Sequence, residues 1–547
     1  MILQPTKRLW NLLKKYNSVL KQIYLYAFFI GIINLTLPVG IQAIINSLQT
    51  GELTSTWIVL VGFVLVGMAL TGILQIFQLR LVENIQQDIF ARSAFEFAFR
   101  FPRIAFLQLD KVHAPELVNR FFDTLTIQKG LPKILIDFSM AIFQIFFGLI
   151  LLTIYSSYFI ILGFILAVII WIIYKITGRK GLDTSLQESK YKYKIAHWLE
   201  EIARTNATFK IFNKNKLHLD KTDDIVSSYL ECRQSHFRVL LQQFWLFIGF
   251  KLTVAASLLI LGGILVFQEK INLGQFVAAE IIIILIINSV EKVIRVIETI
   301  YDVLTALEKI GYVSDLKLDE NKGTSTINNS TGLSVKARNI SLSFPGEDIK
   351  VLNNISFDIA ANEKVVLYGT SGSGKTILTK LISGLFNATE GELLIDNVPI
   401  SHYKRDDYFS SIGVGLPTNQ LFEGSIRDNI LMGQNLPDEA LDKTLRFLHL
   451  DEFLRRQSYG IDSIIDSGGR RLPRGVIQKI QIARILIHKP RLLLLEEPLQ
   501  FIEEDEKIRI IDYLTSKEFN CTVLVVSDFN YWKEKCERII DLNQIGQ

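Results

Sequence analysis

Residues 369–376 read GTSGSGKT, and the reading of the C-terminal half starts from them. The stretch fits the pattern G-x-x-x-x-G-K-[ST]. Gly369, Gly372 and Gly374 let the chain turn tightly, so that the N–H groups of a loop completed by Thr370, Ser371 and Ser373 face one anion. Lys375 supplies a cation for β- and γ-phosphates, and the Thr376 hydroxyl is a ligand for Mg²⁺. Such a loop needs a strand before it and a helix after it. Residues 364–368 (KVVLY) form a short β-rich run, and 377–385 (ILTKLISGL) have helical spacing. An accidental Gly/Ser-rich match would have neither flank. The expectation is a bound nucleoside triphosphate.

Around this loop, from about residue 333 onward, short strand-like and helical runs alternate, an α/β pattern. Residues 316–331 are polar and without periodicity, and read as a linker. The first half is different. Residues 22–51, 57–79 and 138–174 carry no charge, and 240–267 and 271–290 carry one each, Lys251 and Glu280. A bilayer takes about 20 apolar residues to cross. The run 138–174 is too long for one crossing, and Ser156 and Ser157 near its middle suggest a turn between two, giving six spans in all. Pro38 inside the first would kink it, which membrane helices tolerate. Lys251 and Glu280 are costly in lipid; snorkelling or a cytoplasmic extension of its helix would account for Lys251, and a substrate path or a polar interhelical contact for Glu280.

Lys and Arg crowd residues 1–21, 80–133 and 175–238, whereas the breaks at 52–56 and 156–157 have none and that near Lys270 has one. The N-terminus and both long loops are therefore expected in the cytoplasm. Cys232, Cys521 and Cys536 then share that side, free thiols in a reducing compartment with no metal-binding spacing. No secretory signal peptide is read at the start of the chain. A net charge of +4 over 547 residues leaves no nucleic-acid footprint.

Six spans, two long cytoplasmic loops and a C-terminal P-loop domain together resemble an ABC exporter half-transporter. Residues 116–120 (ELVNR), with Asp123, Ile127 and Gln128, look like the first cytoplasmic loop of that family, and 273–276 (LGQF) like the start of its sixth span. The N-terminal half is most similar to type-I secretion transporters of Gram-negative bacteria, without the peptidase-like domain many of them carry. The resemblance implies an α-helical six-span transmembrane domain (type-1 exporter) over 1–315, a linker over 316–332 and an α/β P-loop nucleotide-binding domain over 333–547. It implies ATP and Mg²⁺ as ligands and a bacterial inner membrane as location. It also implies a second half-transporter, in a homodimer or heterodimer, and the partners of type-I secretion, a periplasmic adaptor and an outer-membrane channel, with a peptide or protein as cargo.

By the same resemblance, Phe344 stands where an aromatic stacks on adenine, though a Phe there also suits a strand-end core. Pro417 replaces the Q-loop glutamine. The signature L-S-G-G-Q, whose serine hydroxyl and glycine amides bind the γ-phosphate held by the partner, is LPRGV at 472–476. Pro473 has neither hydroxyl nor N–H, and Arg474 is bulky where close approach is needed. Glu496 replaces the Mg²⁺-orienting aspartate and Glu503 the aspartate of the next loop, while Glu497 keeps the place of the base. Asp528 stands at the switch histidine, where an anion would repel the γ-phosphate. Taken together these departures imply an ATP-binding exporter subunit with attenuated hydrolysis. An ATP-binding regulatory or scaffolding membrane protein of a secretion complex, without transport of its own, is the alternative.

Overall fold

The computed structural model describes residues 4–49, 55–109, 114–212, 216–321, 323–327, 331–344, 349–417 and 420–545. The polar break at 52–56 and the stretch 316–332 therefore lie partly outside the described residues. The chain forms two compact units, one of Met1–Ile104 and Gln108–Lys317, the other of Leu318–Gln547 with Ala105–Leu107.

The first unit is helical. A short helix α1 (Pro5–Lys14) precedes α2 (Asn17–Ile33) and α3 (Thr36–Gln49), followed by the long helix α4 (Ser55–Arg100). The chain turns at Asn34 and Leu35 because Pro38 has no N–H to give the Asn34 carbonyl. Next come α5 (Phe138–Tyr155), α6 (Phe159–Arg204), α7 (Leu217–Phe267) and α8 (Leu273–Asp315). The turn between α5 and α6 falls at Ser156–Tyr158, where the sequence placed it. A π-helical turn, Lys133–Asp137, enters α5 directly after Pro132, whose missing N–H breaks the regular ladder. Asn272 and Gln275 close a reciprocal capping box at the start of α8, fixing where that span begins.

Among the described residues, five stretches are long and apolar enough to cross a membrane: Asn17–Gln49, Trp57–Arg103, Ala114–Tyr155, Leu217–Phe267 and Leu273–Asp315. The remaining apolar run of the six opens α6. Of the two long basic loops, residues 80–100, 175–204 and 217–238 continue α4, α6 and α7, whereas Phe106–Leu109, Ala114–Asn119 and Asp123–Pro132 are separate short helices. Lys251 and Glu280 are exposed on α7 and α8.

The 116–128 segment is tied in by polar contacts. Asp123, 6% exposed, accepts a 2.5 Å hydrogen bond from the Tyr193 hydroxyl and lies 3.5 Å from Lys192, both on α6. Arg120 pairs with Glu116 at 3.1 Å and its guanidinium lies 4.1 Å from the Tyr312 ring of α8. Ile127 is buried, and the Gln128 amide donates to the Gln86 carbonyl at 2.9 Å.

The second unit has two main sheets. The strands are β1 (Val335–Ser343), β2 (Lys350–Ile359), β3 (Lys364–Tyr368), β4 (Glu390–Ile395), β5 (Val398–Pro399), β6 (Ile412–Gly415), β7 (Leu492–Glu496), β8 (Thr522–Val526) and β9 (Arg538–Asp541). One sheet runs β2-β1-β4-β5 and is antiparallel. The other runs β9-β3-β8-β7-β6 and is parallel. Its central strands are buried on both faces, which is why they read as unbroken apolar runs such as LLLL and TVLVV. Val366 faces one core cluster while Val365 and Leu367 face the other. The polar stretch from Leu318 packs on this unit: Asp319 pairs with Arg405 at 3.0 Å, and Ser325 bridges Tyr403.

Candidate functional site

Strand β3 delivers the chain into the 369–374 loop, and helix α9 (Lys375–Ile382) leads away. The helix starts two residues earlier than its apolar spacing suggests, because Lys375 and Thr376 form its first turn. Gly374 caps it at φ +89°, and a Cβ there would lie 2.5 Å from the Leu352 side chain, so the position excludes larger residues on two counts. The first amides of α9 have no partner within the helix and face the loop. The Lys375 ammonium donates to the Gly369 and Thr370 carbonyls at 2.5 and 2.9 Å. Thr370 is held from outside the motif: its N–H and hydroxyl both donate to the Asn543 side-chain oxygen, at 3.2 and 2.9 Å. The Ser373 hydroxyl is buried without a hydrogen-bond partner among the described residues.

At the end of β7, Glu496 accepts a short hydrogen bond from the Thr376 hydroxyl. Its other oxygen is buried and without a hydrogen-bond partner among the described residues. A hydroxyl and a carboxylate side by side, one oxygen unsatisfied, are the hard donors that Mg²⁺ takes, so Thr376 and Glu496 fit that ion. Glu497 follows at φ +44°, a strained conformation for a non-glycine residue. Three bonds to the last residue of β8 and the loop after it hold it there. Its N–H donates to the Val526 carbonyl at 2.8 Å. Its carboxylate accepts from the Ser527 hydroxyl at 3.2 Å and from the Asp528 N–H at 2.9 Å. Asp528 thus meets Glu497 through its backbone, while its own side chain is exposed.

Helix α10 (Arg474–Ile487) begins at Pro473, which caps it without a side-chain hydrogen bond. The Arg474 guanidinium lies 4.9 Å from the Phe501 ring. A Cβ on Gly475 would come within 2.8 Å of the Phe501 carbonyl, so the one signature glycine that remains marks a close backbone approach. Gln478 clasps the same loop, its amide N–H₂ donating to the Glu497 carbonyl at 3.3 Å and its oxygen accepting from the Phe501 N–H at 2.8 Å. A cavity of about 460 Å³ is lined by Pro417, Arg470, Arg474, Glu496, Glu497 and Phe501 among others. No residue of the 369–376 loop lines it; Glu496, bonded to Thr376, does.

The fold therefore brings together Lys375, Thr376 and Glu496, and sets Glu497 against the backbone of Asp528. Phe344 is outside this hydrogen-bonded group: it is half-buried past the end of β1, its ring edge-on to Phe386 with centroids 6.0 Å apart. Glu503 caps the helix Glu504–Thr515 without a side-chain hydrogen bond. Ser527, Asn543 and Gln478 are contributors that the motifs do not name. Ser527, next to Asp528, and Gln478, two residues after the 472–476 segment, lay beside motifs, whereas Asn543 did not.

Comparison with known proteins accords with this architecture. The model of the ABC transporter transmembrane region matches residues 23–290, and that of the ABC transporter matches 352–500. An ATP-dependent lipid A-core flippase of Haemophilus ducreyi is 25% identical over 281 residues, 51% of this chain and 48% of the flippase. The leukotoxin export ATP-binding protein LtxB of Aggregatibacter actinomycetemcomitans is 27% identical over 285 residues, 52% of this chain and 40% of LtxB. The matched stretches thus span about half or less of these relatives. The structure of a bacterial Atm1-family ABC exporter with ATP bound superposes with a TM-score of 0.85, covering 96% of this chain and 94% of that one at 17% identity, a likeness of fold.

Proposed function

The chain belongs to the ABC transporter family, a multi-pass membrane protein of exporter fold with an ATP-binding domain, and from that premise we propose that it is one half of a dimeric exporter whose ATP hydrolysis is attenuated. The observation that carries this reading is a contrast within the second unit. The phosphate loop keeps every donor, with Lys375 and Thr376 placed at the start of α9. At the start of α10, by contrast, Pro473 offers neither hydroxyl nor N–H, and Arg474 sets a bulky side chain, resting on Phe501, where close approach is needed.

In this reading ATP lies on the 369–376 loop, and Mg²⁺ is held by Thr376 and Glu496. Phe344 stacks on adenine. Glu497 is the base that orients water. The partner's 472–476 segment faces the γ-phosphate with too few donors, and phosphoryl transfer depends almost wholly on positioning and charge stabilisation. The three thiols and the basic loops support a cytoplasmic ATP-binding domain at a bacterial inner membrane. The likeness to an exporter of leukotoxin supports a peptide or protein cargo, with an adaptor and an outer-membrane channel as further partners. The domain limits are 1–315 and 333–547.

The test is ATP binding by the purified chain, followed with a fluorescent nucleotide. Lys375→Ala removes the cation and leaves the loop backbone intact, so affinity is expected to fall at least tenfold. Unchanged affinity refutes the phosphate-loop assignment. Purification with a second half-transporter carrying an intact signature supports transport; a lone, non-pumping dimer supports the scaffolding role.

A further inference from the structure

Helix α1 has two faces of different chemistry. Leu9, Leu12 and Leu13 pack, with Tyr16, against the buried cluster that includes Leu20, Ile23 and Leu307. At one edge of this face Arg8, its side chain 10% exposed, pairs with Asp315 at 2.5 Å and lies 3.6 Å from Glu308 on α8. A Cβ on Gly311 would fall 2.3 Å from the Arg8 guanidinium, so that glycine makes room for it. At the other end the Tyr16 hydroxyl donates to Asp88 of α4 at 2.7 Å. The helix is thus fixed against α4 and α8 and has a defined outer face.

That outer face carries Lys7, Trp10 and Lys14, at helical spacing, with Lys15 just beyond. All four are exposed, Trp10 at 69%. Residues 1–21 contain five Lys or Arg and no Asp or Glu, and Arg8 is used internally. The first apolar crossing stretch starts at Asn17, two residues after Lys15, so chain connectivity holds α1 at the boundary of the bilayer. An indole with one apolar and one polar edge is suited to the headgroup layer, and ammonium groups there are drawn to anionic lipid. Scattered surface lysines would be solvated and bland; an exposed Trp between lysines on one fixed face beside a span is a lipid-facing arrangement.

We propose that the Lys7–Trp10–Lys14–Lys15 face of α1 is a docking surface for anionic phospholipid headgroups. It selects lipid by charge, while Arg8 on the inner face holds α1 to the end of α8. The reading depends on the membrane assignment and is independent of any view of ATP hydrolysis.

The test uses the full-length chain in nanodiscs, with either brominated phosphatidylcholine or brominated phosphatidylglycerol as quencher at equal mole fraction. Subtracting the signal of Trp10→Phe isolates Trp10 emission. Brominated phosphatidylglycerol is expected to quench Trp10 about twofold or more over brominated phosphatidylcholine, since each lysine near the surface adds several-fold attraction for anionic lipid. Lys7→Gln, Lys14→Gln and Lys15→Gln together should abolish the preference, with the circular dichroism spectrum unchanged. Equal quenching by both lipids overturns the proposal, as does a preference that survives the triple substitution. Trp10 unquenched by either lipid means that water or another protein covers the face, and overturns it too.

Discussion

In a homodimer each ATP would lie between one chain's phosphate loop and its partner's 472–476 segment. Pro473→Ser with Arg474→Gly restores donors on the second side only; Asp528→His with Glu496→Asp repairs the first side only. One preorganised donor is worth about 10²–10³ in rate, or about 3–4 kcal/mol, and groups acting as a unit do not add. Either pair alone is therefore expected to leave phosphate release within about tenfold of the unmodified chain, whereas all four together should raise it by about 10²–10³. The fold is not at risk. Pro473 caps α10 without a side-chain hydrogen bond, and a serine there adds a cap worth about 0.5–2 kcal/mol. This offsets the loss of the Arg474 contact with Phe501. The assay is phosphate release by the purified homodimer in nanodiscs, with Glu497→Gln as the blank. Release by the unmodified chain at an ordinary enzyme rate, about 10 s⁻¹, and abolished by Glu497→Gln, refutes the reasoning. Recovery by one pair alone refutes the two-sided account.

Three further outcomes are expected. Tyr193→Phe takes a 2.5 Å donor from buried Asp123, costing about 1–3 kcal/mol; the unfolding midpoint should fall by several degrees, and an unchanged midpoint would show that this bond is idle. Burial pushes the Cys521 and Cys536 thiols up to about 12 from 9.0. Each favours the fold in its neutral form: their contribution is intact below pH 9 and is lost as pH rises from there toward 12, so both should resist alkylation at pH 8 until the protein unfolds, and rapid labelling of the folded chain would contradict this. In a variant lacking Cys232, Cys521 and Cys536, a cysteine at Ser157 should react with an impermeant reagent from outside and one at Arg233 should not; the reverse pattern would invert the topology.

Sequence carried the local parts of this architecture furthest. The β3–loop–α9 unit is written in adjacent residues, where glycine placement, β-branched content and helical spacing all act within a few positions. The turn between α5 and α6 was legible because two serines interrupt an apolar run. What brings Asn543 to Thr370, 173 positions away in the chain, is sheet order, which no short window contains. The same holds for Gln478 and Phe501, joined only when α10 packs beside the loop after β7. Phe344 shows the converse. Its position in the motif order suggests adenine, while the contact it makes is with Phe386. Its neighbour in the fold was not legible in the sequence.

The length of α7 has a mechanical consequence. Its 51 residues run as one helix from Leu217 to Phe267, which at 1.5 Å per residue is a rod of about 75 Å. A rod pivoting by about 5° at one end carries the other through roughly 6–7 Å, more than one helical turn's rise. Such a lever converts a small rocking at one end of the first unit into a displacement larger than a water molecule at the other, and it needs no bending to do so. A helix broken near its middle would absorb the same rocking in the break and deliver nothing at the far end.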